Sequence, residues 1–372
     1  MDNRFSPLFE PFTLNNAVTI DNRLVVAPMT HYSSHDDGSL SDEERAFLAG
    51  RATGFGMFIT AATLVSPEGK AFTGQPYAFR DAHLPSLTET AALIKGQGAK
   101  AILQIHHGGD RAIVDGAVSP SGTGTTRALA DNEIQSLVTA FGKAAALAID
   151  AGFDGVEIHG ANGYLLQQFF SAQSNQRTDR WGGSLQNRMR FPLAVVDAVV
   201  EQKRRAGRDD FIIGYRFSPE EAGEQGLTMA DTFALVDALV QKPLQYLHVS
   251  LWDFHRKARR GADTSLTRIE LLHRRIAGRL PLIGVGCLLS ADQVLQAHET
   301  GWAEFIAVGK AVMINPSFAL LVRHGDTGSI ATAIDPAHPE RYRYPANLWQ
   351  QQLRGLAYLP PLKDRDWQPV NI

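Results

Sequence analysis

Short apolar runs alternate with longer amphipathic stretches along most of the chain. Eight runs of four or five mainly apolar residues predict β-strands at 24–27, 57–60, 101–105, 155–158, 211–215, 246–249, 282–285 and 305–308. They do not alternate between apolar and polar positions, which is typical of parallel strands covered on both faces. The pattern therefore predicts a parallel sheet buried between layers of helices.

Helical periodicity fills most of the intervals between these strands. The predicted helices are 41–50, 84–98, 131–151, 185–206, 229–242, 268–279 and 291–301. Side chains suited to capping the first free amides precede or begin five of them, at Ser41, Asp131, Ser184, Thr228 and Ser290. Repeated strand–helix units predict an α/β fold, a closed (β/α)8 TIM barrel. A doubly wound sheet is the alternative, but no G-x-G-x-x-G follows the first strand.

The ends of the chain complete this expected architecture. Residues 12–20 predict a short N-terminal hairpin at the barrel floor. The segment from about residue 324 is rich in Pro, Arg and aromatic residues, with a helix expected near 347–353, and packs on the barrel or on a neighbouring subunit. We expect residues 1–372 to form a single domain that is monomeric or a homo-oligomer.

Composition narrows the functional classes. The chain has 372 residues, of which 44% are hydrophobic and 20% charged, with a net charge of -3. This net charge lacks the positive excess expected of a protein that binds nucleic acid. No apolar stretch reaches the roughly 18 residues that a membrane helix needs. One cysteine, Cys287, excludes an internal disulfide and fits a reducing compartment. We expect a cytoplasmic enzyme.

Polar side chains follow the fourth predicted strand in an unusual sequence. His159, Asn162 and Tyr164 lie within six residues, separated by glycines that allow tight turns and close approach of a ligand. An imidazole and an amide can both donate to one oxygen, and a phenol beside them can supply a proton. These three residues predict a site that polarises a carbonyl and protonates a carbon.

Other strand ends carry further candidates. An arginine after apolar strand residues, Arg216, is either a partner for a structural carboxylate or a fixed cation beneath an electron-accepting cofactor. Gln104 is either structural or a donor and acceptor for the edge of a pyrimidine-like ring. Phosphate-binding backbone and charge are expected at the ends of strands seven and eight, at Gly284, Gly286, Gly309 and Lys310.

Two other kinds of site have less support in the sequence. His106, His107 and His159 could suggest a metal centre, but no H-x-x-x-H pair or cysteine set supports one. A Ser-His-Asp hydrolase is disfavoured because no G-x-S-x-G elbow is present.

At these residues the chain resembles the Old Yellow Enzyme family of FMN-dependent ene reductases. The resemblance runs from Leu8 to about Phe318 and is most specific in the block 154–191, DGVEIHGANGYLLQQFFSAQSNQRTDRWGGSLQNRMRF. Shorter matches occur at 23–30, 56–60, 103–106 and 282–286. This block is long and continuous enough for us to identify the chain as a member of that family.

The resemblance implies a role for each matching position. It implies that FMN binds at the barrel mouth, with Gly286, Cys287, Gly309 and Lys310 at its phosphate, Gln104 and Arg216 at its pyrimidine end, and Pro28, Thr30 and Ala62 along its central edge. It implies that His159 and Asn162 hold the substrate carbonyl, that Tyr164 donates a proton and that Tyr32 contacts the substrate.

The chain also departs from the family pattern. Thr30 replaces a redox-tuning cysteine of one branch, so a hydroxyl is expected to tune the flavin there. Gly309-Lys310 replaces Gly-Arg, and lysine binds phosphate as a point charge without the guanidinium fork. The sequence after strand three leaves the roles of His106 and His107 open. One cysteine excludes the iron–sulfur relatives that reduce dienoyl-CoA.

Hydride transfer in two halves is therefore the hypothesis. NAD(P)H reduces FMN and leaves, and an electron-poor alkene, quinone or nitro compound then enters the same pocket. An alkene receives hydride at its β-carbon and a proton at its α-carbon. The alternatives are a phosphate-binding barrel lyase or isomerase, and a flavoprotein that acts as an NAD(P)H oxidase. The natural substrate and the choice between NADH and NADPH stay open.

Overall fold

Eight parallel strands close into a barrel in the computed structural model, which describes residues 3–368. In chain order they are β1 Leu24–Val26, β2 Met57–Ile59, β3 Lys100–His106, β4 Gly155–Gly160, β5 Ile212–Phe217, β6 Tyr246–Val249, β7 Leu282–Gly284 and β8 Phe305–Val308. Each pairs in parallel with the next, and β8 pairs with β1. The predicted (β/α)8 TIM barrel is confirmed.

Helices surround the strands and extend past the last one. They are α1 Asp42–Leu48, α2 Leu84–Lys95, α3 Asp131–Asp150, α4 Leu165–Phe170, α5 Leu185–Arg205, α6 Met229–Leu239, α7 Arg268–Ile276, α8 Ala291–Glu299, α9 Lys310–Ile314, α10 Phe318–His324 and α11 Ala346–Leu353. Three short helices, α4, α9 and α10, were not predicted from the sequence. Within residues 3–368, no helix is long and apolar enough to span a membrane.

One predicted cap is wrong. Asp131 is the first residue of α3, and Ala130 occupies the capping position. The carboxylate of Asp131 instead accepts from the indole of Trp181 at 2.6 Å, and that of Glu133 accepts from the Ala130 N–H at 2.8 Å. The caps at Ser41, Ser184, Thr228 and Ser290 are confirmed, because each side chain accepts from an amide three residues later.

The predicted N-terminal hairpin covers the base of the barrel. Its strands, Phe12–Thr13 and Thr19–Ile20, are antiparallel. Asn15 donates to the Leu244 carbonyl at 2.8 Å, just before β6, and the ring of Phe12 lies edge-on to that of Phe305 with 5.2 Å between centroids. These contacts tie the hairpin to the amino ends of the strands.

Shorter strands and 3-10 helices lie in the loops and near both ends of the chain. Thr63–Leu64 pairs with β3, and Val118–Ser119 pairs with Arg127–Ala128. Short 3-10 helices occupy Asn3–Phe9, Pro67–Gly69, Asp81–His83, Gly109–Arg111, Thr327–Ser329 and Pro339–Arg341.

The barrel interior has an apolar lower half and a polar upper half. Inward-facing residues form a cluster separate from the outer core: Leu14, Ile20, Val25, Ala27, Met57, Ile59, Ile102, Ile212, Tyr246, Ile283, Phe305 and Ala307. Side chains on a strand alternate between faces, so the inward rows continue upward into polar residues. On β4 these are Glu157 and His159, and on β3 they are Gln104 and His106.

The C-terminal segment, residues 324–368, packs on the barrel of the same chain. The fully buried side chain of Arg51, just after α1, donates to the carbonyls of Phe47 and Tyr342. Ile334 bridges to Leu362 within the segment. Of the two expectations for this segment, packing on the barrel is therefore the one that the structure bears out.

Candidate active site at the carboxyl ends of the strands

His159 ends β4 as a neutral imidazole with a defined proton position. The Ala161 N–H donates to its Nδ1 at 3.2 Å, so the ring proton lies on Nε2. Burial, with His106 and Arg216 nearby, lowers the pKa of His159 well below its ordinary value. The ring is therefore an uncharged donor at neutral pH.

Asn162 is held at both its backbone and its side chain. Its φ of 58° lies in the left-handed region, which asparagine tolerates better than most residues. The Asn162 N–H donates to Ser218 Oγ at 2.8 Å, and its Oδ1 accepts from Ser250 Oγ at 2.8 Å. The amide NH2 is thereby left as a donor directed away from Ser250.

Tyr164 lies against two imidazoles. Its ring centroid is 4.4 Å from that of His106 and 5.2 Å from that of His159, both edge to face. Burial raises the pKa of the phenol, and the Arg111 guanidinium, 5.7 Å from the ring centroid, acts in the opposite direction. The phenol therefore keeps its proton at neutral pH.

His106 is fully buried and retains one unpaired N–H. Gln75 donates to its Nδ1 at 3.1 Å and to the Ala62 carbonyl at 3.1 Å, which leaves the proton on Nε2. That nitrogen has no partner among the described residues. Burial, together with His107, lowers the pKa of His106 to about 3.

Glu157 sits below these groups as a buried carboxylate. It accepts from Gln104 Nε2 at 2.7 Å, from His248 Nδ1 at 2.8 Å and from the Tyr246 hydroxyl at 3.1 Å. Burial opposes ionisation, but His248 and Arg216 offset it and the pKa of Glu157 is lowered. The carboxylate fixes the Gln104 amide and balances the charge of Arg216.

Arg216 ends β5 with much of its guanidinium unpaired. Its Nη2 donates to Ser250 Oγ at 3.1 Å, whereas its buried Nε has no partner among residues 3–368. Burial lowers the pKa of Arg216, and Glu157 opposes that shift. A buried cation with a free donor suits an electron-rich ring edge that no protein atom supplies.

The phosphate candidates lie at β7 and β8. A Cβ on Gly309 would meet nothing closer than the Ala27 Cβ at 3.6 Å, so the space above it is open. Lys310 begins α9, pairs with no carboxylate in the described part of the chain, and its Nζ lies 5.2 Å from the ring centroid of Trp252. Burial lowers its pKa.

Packing already explains the two other glycines. A Cβ on Gly286 would lie 2.3 Å from the Phe254 nitrogen, and one on Gly284 would lie 2.7 Å from the Phe254 ring. Neighbouring Cys287 adopts a φ of 49°, and burial raises the pKa of its thiol. The open cradle is therefore at Gly309 and Lys310.

Tyr32 and the C-terminal segment meet at the rim. Tyr32 has a φ of 57°, and its carbonyl accepts from Asn347 of α11 at 3.2 Å. Its hydroxyl lies 3.5 Å from that of Tyr358. Burial, with Tyr358 close by, raises the pKa of Tyr32. The segment thus brings a second phenol to the mouth.

The remaining predicted positions lie around the same opening. Pro28 and Thr30 are half-buried directly after β1. Ala62 is buried, and Gln75 donates both to its carbonyl and to His106 Nδ1. His107 is buried, accepts from the Gly109 N–H at 3.0 Å and points its Nε2 towards Glu68 at 3.9 Å. No group of three or more His, Cys, Asp or Glu side chains within residues 3–368 is arranged to hold a metal.

Sequence reasoning missed Glu157, His248 and Ser250. Their signal was present, because β4 and β6 depart from the pattern without alternation predicted for the eight strands: polar residues occupy every second position there. An ionisable side chain inside a buried strand is costly unless paired, so it marks a polar interior. Of the predicted groups, Gln104 bonds to Glu157, and Arg216 and Asn162 both bond to Ser250. His159 and Tyr164 contact each other and His106 through their rings.

Known proteins share this architecture and sequence. The sequence pattern of the NADH:flavin oxidoreductase / NADH oxidase family matches residues 7–327. Over 370 residues the chain is 46% identical to the probable NADH-dependent flavin oxidoreductase YqiG of Bacillus subtilis strain 168, with 97% of this chain and 99% of that protein covered. It is 37% identical over 361 residues to the NADH:fumarate oxidoreductase of Klebsiella pneumoniae strain 342, covering 93% of this chain but 39% of that longer protein. The structure of morphinone reductase superimposes with a TM-score of 0.72 at 27% identity, over 86% of this chain and 89% of that one.

Proposed function

This chain belongs to the NADH:flavin oxidoreductase / NADH oxidase family, the Old Yellow Enzyme family, and is a flavin-dependent NAD(P)H oxidoreductase that binds FMN; we propose that it reduces electron-poor alkenes. The substrate class is an alkene conjugated to a carbonyl or carboxylate oxygen. Quinones and nitro compounds, which also place oxygen beside an electron-poor bond, are further acceptors.

A single observation carries this proposal. The donors of His159 and Asn162 are both fixed by acceptor bonds on their other side, and the Tyr164 ring lies 5.2 Å from His159. Two fixed donors and a protonated phenol, at the end of β4 and in the loop after it, suit an oxygen that gains negative charge while a nearby carbon gains a proton.

The unpaired groups at the mouth fit FMN. The free donor of Arg216 and the fixed amide of Gln104 would hold its pyrimidine end, and Gly309 and Lys310 its phosphate. The family pattern alone assigns Gly286 and Cys287 to the phosphate of FMN, and Pro28, Thr30 and Ala62 to its central edge. When bound, FMN supplies hydride transfer from a reduced nicotinamide to an acceptor.

His159 and Asn162 act on the substrate oxygen. Hydride addition to a conjugated alkene leaves charge on that oxygen, and donors already in place stabilise this charge more than the ground state. Loss of one such donor typically costs about 3 kcal/mol, or a hundredfold or more in rate. Because the pKa of His159 is lowered, the ring donates as a neutral group and needs no counterion.

Tyr164 supplies the proton for the α-carbon. Burial raises its pKa, so the phenol holds its proton until a strongly basic carbanion-like carbon forms beside it. Tyr32 lines the rim opposite and would contact the substrate there. A cytoplasmic location would supply reduced nicotinamide and the reducing conditions that suit one free cysteine.

Turnover of 2-cyclohexenone with NADH and with NADPH tests the proposal. The wild-type protein should consume the enone, and His159→Ala and Asn162→Ala should each lose a hundredfold or more in turnover. His273→Ala on α7 is the matched control and should turn over as wild type. Stopped-flow reduction with each nicotinamide measures the first half-reaction separately.

Three outcomes contradict the proposal. Full enone turnover in both variants would exclude the oxyanion assignment. A yellow protein that oxidises NAD(P)H with oxygen but ignores enones would be an oxidase. A purified protein that stays colourless when FMN is added would be a barrel without redox function.

A further inference from the structure

Ser250, the first residue after β6, joins two parts of the site. Its N–H donates to the Phe217 carbonyl at 2.8 Å, which fixes its backbone to β5. Its Oγ lies 3.1 Å from Arg216 Nη2 and 2.8 Å from Asn162 Oδ1. One hydroxyl therefore links the cation assigned to the cofactor with the amide assigned to the substrate.

The chemistry of the three groups sets the direction of both bonds. A guanidinium has donors and no acceptor, so Ser250 Oγ must accept from Arg216. A serine hydroxyl has one proton and two lone pairs, and in the structure its proton is donated to Asn162 Oδ1 at 2.8 Å. Asn162 must receive it with its carbonyl oxygen, because the amide nitrogen cannot accept.

This order decides which end of the amide faces the mouth. The two ends of an asparagine side chain have nearly the same shape, so shape alone does not choose between them. Ser218 holds only the backbone N–H of Asn162 and has no influence on the flip of the amide. Ser250 engages Oδ1 and so turns both Nδ2 hydrogens away from itself.

We propose that Ser250 is a positioning residue that keeps the NH2 of Asn162 directed at the reacting oxygen, with Arg216 fixing the direction of the serine hydroxyl. The inference rests on the proposed oxyanion role of Asn162. Without the hydroxyl, the amide can present its oxygen to the substrate, where it would repel developing negative charge.

Binding of a stable anion to the FMN-loaded protein tests this. The probe is para-cyanophenol, whose phenolate resembles an enolate, and its affinity is measured by calorimetry. Ser250→Ala should weaken binding about tenfold, as expected for one hydrogen bond to a charged group. FMN content, read from the flavin absorbance, should stay at the wild-type level.

An isosteric pair separates the hydroxyl from the volume of the side chain. Ser250→Thr and Ser250→Val have nearly the same shape, and only threonine keeps the hydroxyl. Thr should bind the phenolate within about twofold of wild type, and Val should match Ala. This comparison stays informative if the alanine variant fails to fold.

A double-mutant cycle with Asn162→Ala identifies the route of the effect. Adding Ser250→Ala to Asn162→Ala should give no further loss of phenolate affinity. The inference is overturned if the loss is the same in both backgrounds, if Ser250→Ala binds as wild type, or if Val binds as well as Thr.

The proposed function can fail separately. Phenolate binding that depends on Asn162 and Ser250, in a protein that ignores enones, would leave this inference standing and reject alkene reduction. Enone turnover in a protein whose phenolate affinity does not depend on Ser250 would support alkene reduction and reject the inference about Ser250.

Discussion

The ring protons of His159 and His106 are placed by their neighbours. In each ring an N–H donor occupies Nδ1, so Nε2 carries the proton, and burial keeps both rings uncharged. The Tyr164 ring packs edge to face on both. A proton donor therefore lies between two imidazoles that do not compete for its proton near neutral pH.

Tyr164→Phe should separate the two half-reactions. Removal of a positioned general acid typically costs about 10²- to 10⁴-fold, so the alkene half should slow by that much. Reduction of FMN by the nicotinamide needs no proton from Tyr164 and should stay within a few-fold. Stopped-flow measurement of each half decides, and equal losses in both halves would contradict the assignment.

Acid should destabilise the fold through His106. Its pKa falls from 6.5 to about 3 on folding, so the unfolded chain takes up the proton first as the pH drops. Its contribution to the free energy of unfolding is full above about pH 6.5 and is lost at about 1.4 kcal/mol per pH unit down towards its folded pKa. His159 and His248, whose pKa values are also lowered, act in the same direction.

His106→Asn should make this pH dependence shallower by about one proton. Asparagine keeps an acceptor for Gln75 but does not titrate. Urea unfolding at a series of pH values between about 6 and 4 gives the slope. His273→Asn on α7 is the control, and an unchanged slope in the His106 variant would refute the prediction.

The residues that sequence reasoning found and missed differ in one respect. His159, Asn162 and Tyr164 stand together at the carboxyl end of a strand and in the loop after it, where barrel enzymes carry their chemistry. Glu157 and His248 lie inside strands, and their role depends on which strand is adjacent to which. That pairing is a property of the closed sheet, so a single strand could not reveal it.

At the scale of elements, close approach between strands is set by glycine. A Cβ on Gly214 of β5 would lie 2.0 Å from the Tyr246 ring of β6. The Tyr246 hydroxyl donates to Glu157 at 3.1 Å, so β4, β5 and β6 share one packed unit. The glycine is what allows a large phenol to turn inward there.

Gly214→Ala should therefore disturb the polar interior from below. Overpacking of this kind typically costs about 1–3 kcal/mol, and we expect a lower melting temperature together with weaker FMN retention. Gly142→Ala on α3 is the matched control, because its Cβ would meet nothing closer than 3.4 Å and alanine favours a helix. Wild-type stability in the Gly214 variant would show that Tyr246 moves freely.

The type of most helices and strands could be predicted from the sequence, but their boundaries less well. The eight strands and seven long helices follow from apolar runs and periodicity, which act locally. The helices α4 and α9 have six and five residues, too short for a periodic pattern, and they arise where the chain turns at the mouth. The cap at α3 differs because Arg180 and Trp181, 49 and 50 residues away, draw the Asp131 carboxylate outward.

At the scale of the whole molecule, a buried cation is among the groups that attach the C-terminal segment to the barrel. Arg51 donates to the carbonyls of Phe47 and Tyr342 and lies 4.0 Å from the centre of the Phe47 ring. Burial lowers its pKa to about 9, and no carboxylate among the described residues balances it. The segment carries Tyr358 to the rim, so this attachment also shapes the mouth.

Arg51→Met should loosen that attachment. Two buried carbonyls lose their donor, which typically costs about 1–3 kcal/mol each. We expect faster tryptic cleavage within residues 341–365 and a changed KM for bulky enones, with FMN retained. Arg45→Met, on the exposed side of α1, removes a pairing with Glu89 and should leave cleavage unchanged. Equal cleavage in the two variants would reject the role of Arg51.

The hairpin of residues 12–20 covers the floor of the barrel over an apolar layer, so we expect both reactants to share the polar opening at the carboxyl ends of the strands. The electron donor must then leave the site before the electron acceptor can bind. An excess of either reactant should then inhibit binding of the other. Double-reciprocal plots at several nicotinamide concentrations should give parallel lines. Water would enter by the same opening, so we expect the proton that replaces the one Tyr164 donates to arrive by the route through which the product leaves.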